Sequence, residues 1–230
     1  MLKNVKTTTH ISLLDLIAPH SCRGCGQIGK ALCDRCKNNI IANHQDFCPK
    51  CKAAKTSNVC HQCHDLPPTF IGGERTGLLA NIVHDYKYQS IRSLAHPLAD
   101  IISSAIPPLG GLVFIVPLPT ISRHIRERGF DHTLLLAKYL ANIKGANYQV
   151  CPILRRRTNS IQVGTKRTTR LHQASQAYRI SPHAIINPHA TYLLLDDVWT
   201  TGASLRAART LLQQNSITNT AFAILSVSRL

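Results

Sequence analysis

The sequence contains few acidic residues and few aromatic ones. It has 11 Asp and Glu against 27 Lys and Arg in 230 residues, which gives a formal net charge of +16. Such a basic chain favours polyanionic partners, namely nucleic acid, phosphorylated small molecules or an anionic membrane surface, although plain solubility would also explain the charge. Aromatic residues make up only 5% of the chain, which argues against base stacking on its most basic segment, residues 155–170.

Long apolar runs are missing as well. Residues 112–118 are apolar but too few to cross a bilayer. The N-terminal apolar stretch, residues 11–18, is interrupted by Asp15, so no secretory signal is predicted. Hydrophobic residues still make up 44% of the chain, which is enough for a folded core. We therefore expect a soluble protein in the cytoplasm, where it could also lie at the inner face of the membrane.

The cysteines are concentrated in the first third of the chain. Two CxxC loops can bring four thiolates to one tetrahedral Zn²⁺. The gaps between successive pairs are seven, eleven and eight residues, so we predict that the first pair joins the second and the third joins the fourth, with interleaved pairing as the alternative. Cys151 stands alone and is expected in the core. The four pairs are Cys22/Cys25, Cys33/Cys36, Cys48/Cys51 and Cys60/Cys63.

Zinc is favoured over the other chemistry of CxxC motifs. Disulfides are rare in the cytoplasm, and no thioredoxin-like βαβ pattern surrounds these pairs. Four Cys per ion leave no open position for catalysis, so the two ions would be structural. Residues 1–66 are therefore predicted to form a double zinc ribbon with a short N-terminal helix, acting as a docking or nucleic-acid platform.

Residues 67–230 show alternating strand and helix patterns. This alternation predicts an α/β domain with a parallel sheet. Residues 155–170 carry six basic side chains and are predicted to form a loop, either a lid over a cleft or a nucleic-acid contact surface. The predicted strands lie near residues 70–76, 112–118, 148–154, 192–195 and 221–227, and the predicted helices near 78–86, 94–102, 131–140 and 202–212.

The clearest ligand-binding motif follows the predicted strand 192–195. Ligands of open α/β sheets bind at the carboxyl ends of strands, and here the strand meets Asp196 and Asp197. The next small and hydroxylated residues open a helix, whose N–H groups and dipole suit a phosphate, and Gly202 removes a side chain that would block its approach. An ordinary helix N-cap at Thr201 or Ser204, or a general metal site, is the alternative. The predicted phosphate-binding residues are Thr200, Thr201, Gly202, Ala203 and Ser204.

Several stretches together resemble a known family. The run 193–204, LLLDDVWTTGAS, resembles the phosphoribosyltransferase fingerprint. With the four CxxC pairs, YKY at 86–88, VPLP at 116–119 and RERGFD at 126–131, the chain resembles the ComF family over residues 12–230. It departs from that family at Gln89 and Ser90, where a Gly is usual, and at Gln173 and Tyr178, where Asn and Phe are usual.

The resemblance implies a type I phosphoribosyltransferase-like parallel sheet flanked by helices, preceded by the double zinc ribbon. It implies phosphoribosyl diphosphate as ligand, with Asp196 and Asp197 at the ribose hydroxyls and at Mg²⁺. Arg126 and Arg128 would face the diphosphate, with Lys87 as a further candidate; a solvated charge run or a nucleic-acid contact is the alternative for the two arginines.

The family resemblance also implies a role in natural transformation. It points to single-stranded DNA as a partner and to a DNA-translocating competence helicase bound through the zinc module. The sequence shows no residues that would form a pocket for an acceptor base. It therefore predicts which ligand is bound but not which reaction is catalysed. The alternatives are a metabolic phosphoribosyltransferase and a zinc-stabilised adaptor without catalysis.

Overall fold

Five parallel strands form the central sheet of the protein, in the order β1 (Thr69–Ile71), β7 (Thr220–Val227), β6 (Thr191–Trp199), β2 (Val113–Pro117) and β3 (Tyr148–Val150). The computed structural model describes residues 20–55, 57–157, 177–182, 184 and 186–228. The predicted N-terminal helix and the predicted lid beyond residue 157 lie outside these ranges. The strands β4 (Leu154–Arg156) and β5 (Tyr178–Ile180) form a separate antiparallel ribbon.

The described residues also form helices between these strands. As predicted, Asp131 begins a helix: its Oδ1 accepts a hydrogen bond from the Leu134 amide at 3.1 Å, which caps the first turn. No helix among the described residues is long and apolar enough to cross a membrane. The helices are α1 (Asp34–Ala42), α2 (Gly77–Tyr88), α3 (Ala95–Ala105), α4 (Ser122–Arg128), α5 (His132–Lys144) and α6 (Ala203–Gln214), with a 3₁₀ turn at Arg92–Leu94.

Two strands differ from the predicted ones. The strand predicted over residues 148–154 is divided, because Pro152 has no N–H to donate and ends the parallel ladder after Val150. The strand predicted to end at Leu195 instead continues to Trp199, because β7 pairs with it along this whole length. The acidic pair therefore lies inside a strand rather than after it.

The sheet separates two apolar cores. Alternate residues of β7 face opposite sides: Ala223 and Leu225 lie in the core under α2, α3 and α5, whereas Phe222 and Ile224 lie in the core under α6 and the β4–β5 ribbon. This arrangement places the carboxyl ends of β2 and β6 side by side at one edge of the sheet.

The cysteine-rich segment packs against both cores. Cys22 and Cys36 are buried in the core of α2 and α3, while Cys48 and Cys60 belong to the core on the other side of the sheet. Ion pairs reinforce the first contact: Arg23 Nε lies 3.1 Å from Asp85 Oδ2 on α2, and Lys37 Nζ lies 2.6 Å from Asp100 Oδ2 on α3. The domain boundary at residue 66 stays a prediction.

Candidate metal centres and anion-binding cleft

The eight paired cysteines form two clusters, grouped as their spacing predicts. Within each cluster all four Sγ atoms lie within 4.8 Å of one another. Neighbouring Sγ atoms are 3.7 Å apart for Cys25 and Cys33, and 3.5 Å apart for Cys51 and Cys60. A tetrahedron with Zn–S bonds of about 2.3 Å requires S···S separations of about 3.8 Å. The clusters are Cys22, Cys25, Cys33 and Cys36, and Cys48, Cys51, Cys60 and Cys63.

The chemistry of the thiols also suits a cation. None of the nine cysteines forms a disulfide. Burial would raise the pKa of Cys22, but hydrogen bonds from backbone N–H groups outweigh it and lower this pKa to about 6. The corresponding backbone bonds lower the pKa of Cys60 to about 6, whereas burial raises the pKa of Cys36 and of Cys48 to about 12. Thiolates are the form that binds Zn²⁺. Each cluster can therefore hold one structural zinc ion.

A polar cleft of about 240 Å³ lies at the carboxyl ends of β2 and β6. Its walls come from segments that are far apart in the sequence, so only the fold brings them together. Cationic side chains are the most frequent charged groups in the cleft, and Asp196 is the only carboxylate among its lining residues. The lining residues are Lys87, Tyr88, Leu118, Pro119, Thr120, Ile121, His124, Arg128, His132, Thr133, Arg156, Tyr178, Asp196 and Ser204.

The two adjacent carboxylates lie in opposite environments. Asp196 is partly exposed and lines the cleft. Asp197 is buried, and its Oδ2 lies 2.7 Å from Lys87 Nζ and 2.7 Å from His132 Nε2. Successive side chains of a strand point to opposite faces, so the continuation of β6 separates the pair. The sequence placed both at the ribose hydroxyls; the structure brings only Asp196 to the cleft.

The pKa values of the two carboxyl groups shift in opposite directions. Burial raises the pKa of Asp196, and the neighbouring negative charge of Asp197 raises it further. Burial would also raise the pKa of Asp197, but the hydrogen bond from His132 and the charge of Lys87 outweigh it and hold this pKa well below its usual range. Asp197 therefore keeps its negative charge inside the protein, as the counterion of Lys87.

The two predicted arginines are also separated. Both lie on α4, two positions apart, and residues at that spacing do not share a helix face. Arg128 is partly buried and lines the cleft, whereas Arg126 is exposed and is not among the lining residues. Glu127, between them, pairs with Arg123 at 2.7 Å and with His124 at 3.1 Å. Arg128 is thus the arginine of this pair that can meet a ligand in the cleft.

The loop after β6 is only partly directed to the cleft. Ser204 lines it, while Thr200 and Thr201 are exposed nearby and Ala203 donates its amide to Thr201 Oγ1 at 3.4 Å. Gly202 has φ +71°, and a Cβ added there would lie 2.1 Å from the indole of Trp199. The glycine is therefore required by the turn and by the packing of Trp199. Its predicted role, to leave space for a phosphate, stays a prediction.

Several cleft residues were not predicted from the sequence. His132 and His124 line the cleft, as do Arg156 and Tyr178 of the β4–β5 ribbon. Burial raises the pKa of Tyr178, and a hydrogen bond with Ser204 opposes that rise, which links the ribbon to the loop after β6. The only sequence signal for His132 was a polar residue in the first turn of an apolar helix. The other three residues have no such signal, because their place in the cleft depends on the fold.

No protein-family model matches the chain, and no curated protein matches it either. What the structure establishes is a mixed α/β protein with a five-stranded parallel sheet, two Cys₄ clusters and a cationic cleft.

Proposed function

We propose that this protein binds phosphoribosyl diphosphate together with Mg²⁺, and that it is a ComF-like protein acting on single-stranded DNA in natural transformation. The observation that carries the ligand proposal is the composition of the cleft. It combines a partly exposed carboxylate, a serine in the first turn of α6 and several cations at the carboxyl ends of two parallel strands.

The three kinds of group match the three parts of such a ligand. The amides at the start of α6 and the Ser204 hydroxyl suit the 5′-phosphate. Asp196 suits the ribose hydroxyls, and Arg128 and Arg156 suit the diphosphate, because a guanidinium can donate two parallel hydrogen bonds to phosphate. Mg²⁺ is usually held by one or two carboxylates and the substrate phosphates, so Asp196 fits it, and the bound ion would neutralise diphosphate charge.

Calorimetric binding of phosphoribosyl diphosphate with Mg²⁺ tests the ligand proposal. We expect the wild type to bind and Asp196→Asn to bind at least about tenfold more weakly, because a charged hydrogen-bond acceptor is lost. Asp65→Asn is the matched control: Asp65 pairs with Lys50 outside the cleft, and this variant should bind like the wild type.

Zinc-loaded, folded wild type that binds no phosphoribosyl diphosphate would overturn the ligand proposal. If the wild type and Asp196→Asn bind phosphoribosyl diphosphate with equal affinity, Asp196 does not contact the ligand. If the protein releases pyrophosphate only when a particular acceptor is present, it has transferase activity as well as ligand binding. A metabolic phosphoribosyltransferase would then be the better description of the protein.

The DNA proposal is supported by an uncompensated cationic surface. Arg155 and Arg179 are exposed, directly opposite each other on the β4–β5 ribbon, and neither has an acidic partner among the described residues. Like charges in that position destabilise a ribbon unless an anion is bound. The 64 residues between Asp131 and Asp196 contain nine Lys and Arg and no Asp or Glu. In this proposal the zinc module contacts the DNA-translocating competence helicase.

The salt dependence of single-stranded DNA binding tests this surface. Affinity should fall as salt rises, and Arg155→Gln with Arg179→Gln should make the log–log slope shallower by about 1.4, since each phosphate contact on a single strand contributes about 0.7. The control replaces Lys30 and Lys138, two exposed lysines elsewhere, by Gln. An equal change of slope in both double variants would refute a local DNA contact; no binding by the wild type would refute the DNA proposal.

A further inference from the structure

His132 occupies a fixed place between the buried acid and the cleft. It is the first residue of α5, and its side chain is 8% exposed. The Tyr86 hydroxyl donates a hydrogen bond to the His132 carbonyl at 2.7 Å, and Asp131 caps the helix that His132 begins. Both contacts fix the backbone at this position. The imidazole ring therefore has little freedom to turn away from its neighbours.

The contacts of the ring define which nitrogen carries the proton. Nε2 lies 2.7 Å from Asp197 Oδ2 in an ion-pair contact, while Nδ1 lies 2.9 Å from Arg128 Nη1. A guanidinium has donors only, so Nδ1 must present its lone pair to Arg128. The Thr120 hydroxyl lies 3.3 Å from Nδ1 and donates to Asp131 Oδ1 at 3.0 Å. The proton of a neutral imidazole then lies on Nε2, on the side of Asp197.

The contact with Arg128 requires an Nδ1 that carries no proton. Asp197 already has the ammonium group of Lys87 as its counterion. A second proton on His132 would place an imidazolium N–H directly against the guanidinium of Arg128, so that two donors and two positive charges would face each other. Such a like-charge contact in a partly buried site is unfavourable. Asp197 therefore contacts the ring at Nε2 while it remains the counterion of Lys87.

We infer that His132 is a positioning residue: as the neutral Nε2–H tautomer, anchored by Asp197, it accepts a hydrogen bond from Arg128 and aims that guanidinium into the cleft. Arg128 donates no other hydrogen bond among the described residues; its second support is the ring of Tyr88, 5.4 Å from Cζ. The inference rests on the proposed function, in that the ligand must carry a diphosphate or similar anion. A fixed cation binds such a group with less loss of side-chain entropy.

The chain Lys87–Asp197–His132–Arg128 explains why a carboxylate is buried beside an anion site. Asp197 contacts no ligand, but its charge sets the tautomer of His132, and the tautomer provides the acceptor for Arg128. Each member acts on the next through a contact of 2.7 to 2.9 Å. The structure thereby keeps a negative charge away from the bound phosphate and still uses it to orient a cation.

Binding of inorganic pyrophosphate by calorimetry tests the inference with two His132 variants. In His132→Gln the amide oxygen can accept from Arg128 while the amide nitrogen donates to Asp197, so affinity should stay within about twofold of the wild type. His132→Leu keeps the volume and loses both contacts, so affinity should fall about tenfold. In the His132→Leu background, Arg128→Ala should cause almost no further loss, because coupled residues are not additive.

Nuclear magnetic resonance of the side chains supplies readouts that need no ligand. The ¹⁵N shifts of the wild-type His132 ring should show a protonated Nε2 and an unprotonated Nδ1. The Arg128 side chain should be ordered in the wild type and in His132→Gln, and disordered in His132→Leu. Thermal unfolding of each variant checks that it is folded.

Three results would overturn the inference: protonated Nδ1, an ordered Arg128 in His132→Leu, or additive losses in the double variant. Wild type that binds neither pyrophosphate nor phosphoribosyl diphosphate would instead refute the proposed function. The tautomer and the order of Arg128 would still decide whether His132 positions that arginine.

Discussion

Loss of zinc from the first Cys₄ cluster should destabilise the whole protein and not only its cysteine-rich segment. Cys22 and Cys36 are buried in the same core as α2 and α3, and Gly24 of the first CxxC loop packs against Leu78 of α2 so closely that an added Cβ would lie 2.8 Å from it. Without the ion, four thiols would remain at a packed surface with no partner that fixes them. Binding of a structural zinc ion contributes about 10–16 kcal/mol in small zinc modules.

The variant Cys36→Ser tests this prediction. It removes one ligand of the first cluster, and we expect a loss of at least about 3 kcal/mol, which lowers the melting temperature by about 6–12 °C in a chain of this size. Cys151→Ser is the matched control, because Cys151 lies outside both clusters and is only partly buried. Metal analysis should find two zinc ions per chain in the wild type and in the control.

The outcome also decides how the zinc module relates to the cleft. α2 carries Lys87 and Tyr88 to the cleft and Asp85 to the ion pair with Arg23 of the first CxxC loop. If the cluster supports α2, Cys36→Ser should weaken binding of phosphoribosyl diphosphate as well. A Cys36→Ser protein that has lost zinc but melts at the wild-type temperature would show that the first cluster does not stabilise the core.

The contrast between the clusters and the cleft shows what a sequence can predict. The CxxC spacing is local: each loop fixes two ligands, and short gaps pair neighbouring loops, so the grouping of the eight cysteines follows from counting. The helix begun by Asp131 is equally local, since its cap depends on the next three residues. Such features need no knowledge of distant contacts.

The different environments of Asp196 and Asp197 could not be predicted in this way. It depends on how far β6 continues, and that length is set by pairing with β7, nearly 30 residues later in the chain. The partners of Asp197 are Lys87 and His132, which are 110 and 65 positions away. Likewise nothing in the sequence distinguishes Arg126 from Arg128, and both are predicted to face the diphosphate. The helix α4 gives them different directions.

A second pair of variants separates the two carboxylates by their effect on stability. Asp197→Asn removes the carboxylate that contacts Lys87, whose side chain is 15% exposed, so the nearly buried ammonium group loses its ion-pair partner. Breaking a buried ion pair by removal of one partner costs about 3–5 kcal/mol. Asp196→Asn should lose little stability or gain some, because it removes the like charge next to Asp197. Urea unfolding at neutral pH measures both.

The pH dependence of unfolding should distinguish the two sites further. The pKa of Asp197 is lowered by folding, so its contribution is fully present above the unfolded value of about 4 and is lost as the pH falls below it. The pKa of Asp196 is raised, so this group weakens folding as the pH rises from about 4 through its raised pKa. Relative to the wild type, Asp196→Asn should therefore become more stable as the pH rises, and Asp197→Asn less stable. Parallel profiles for the two variants would contradict the assignment of Asp197 as an internal counterion, because both carboxylates would then lie in equivalent environments.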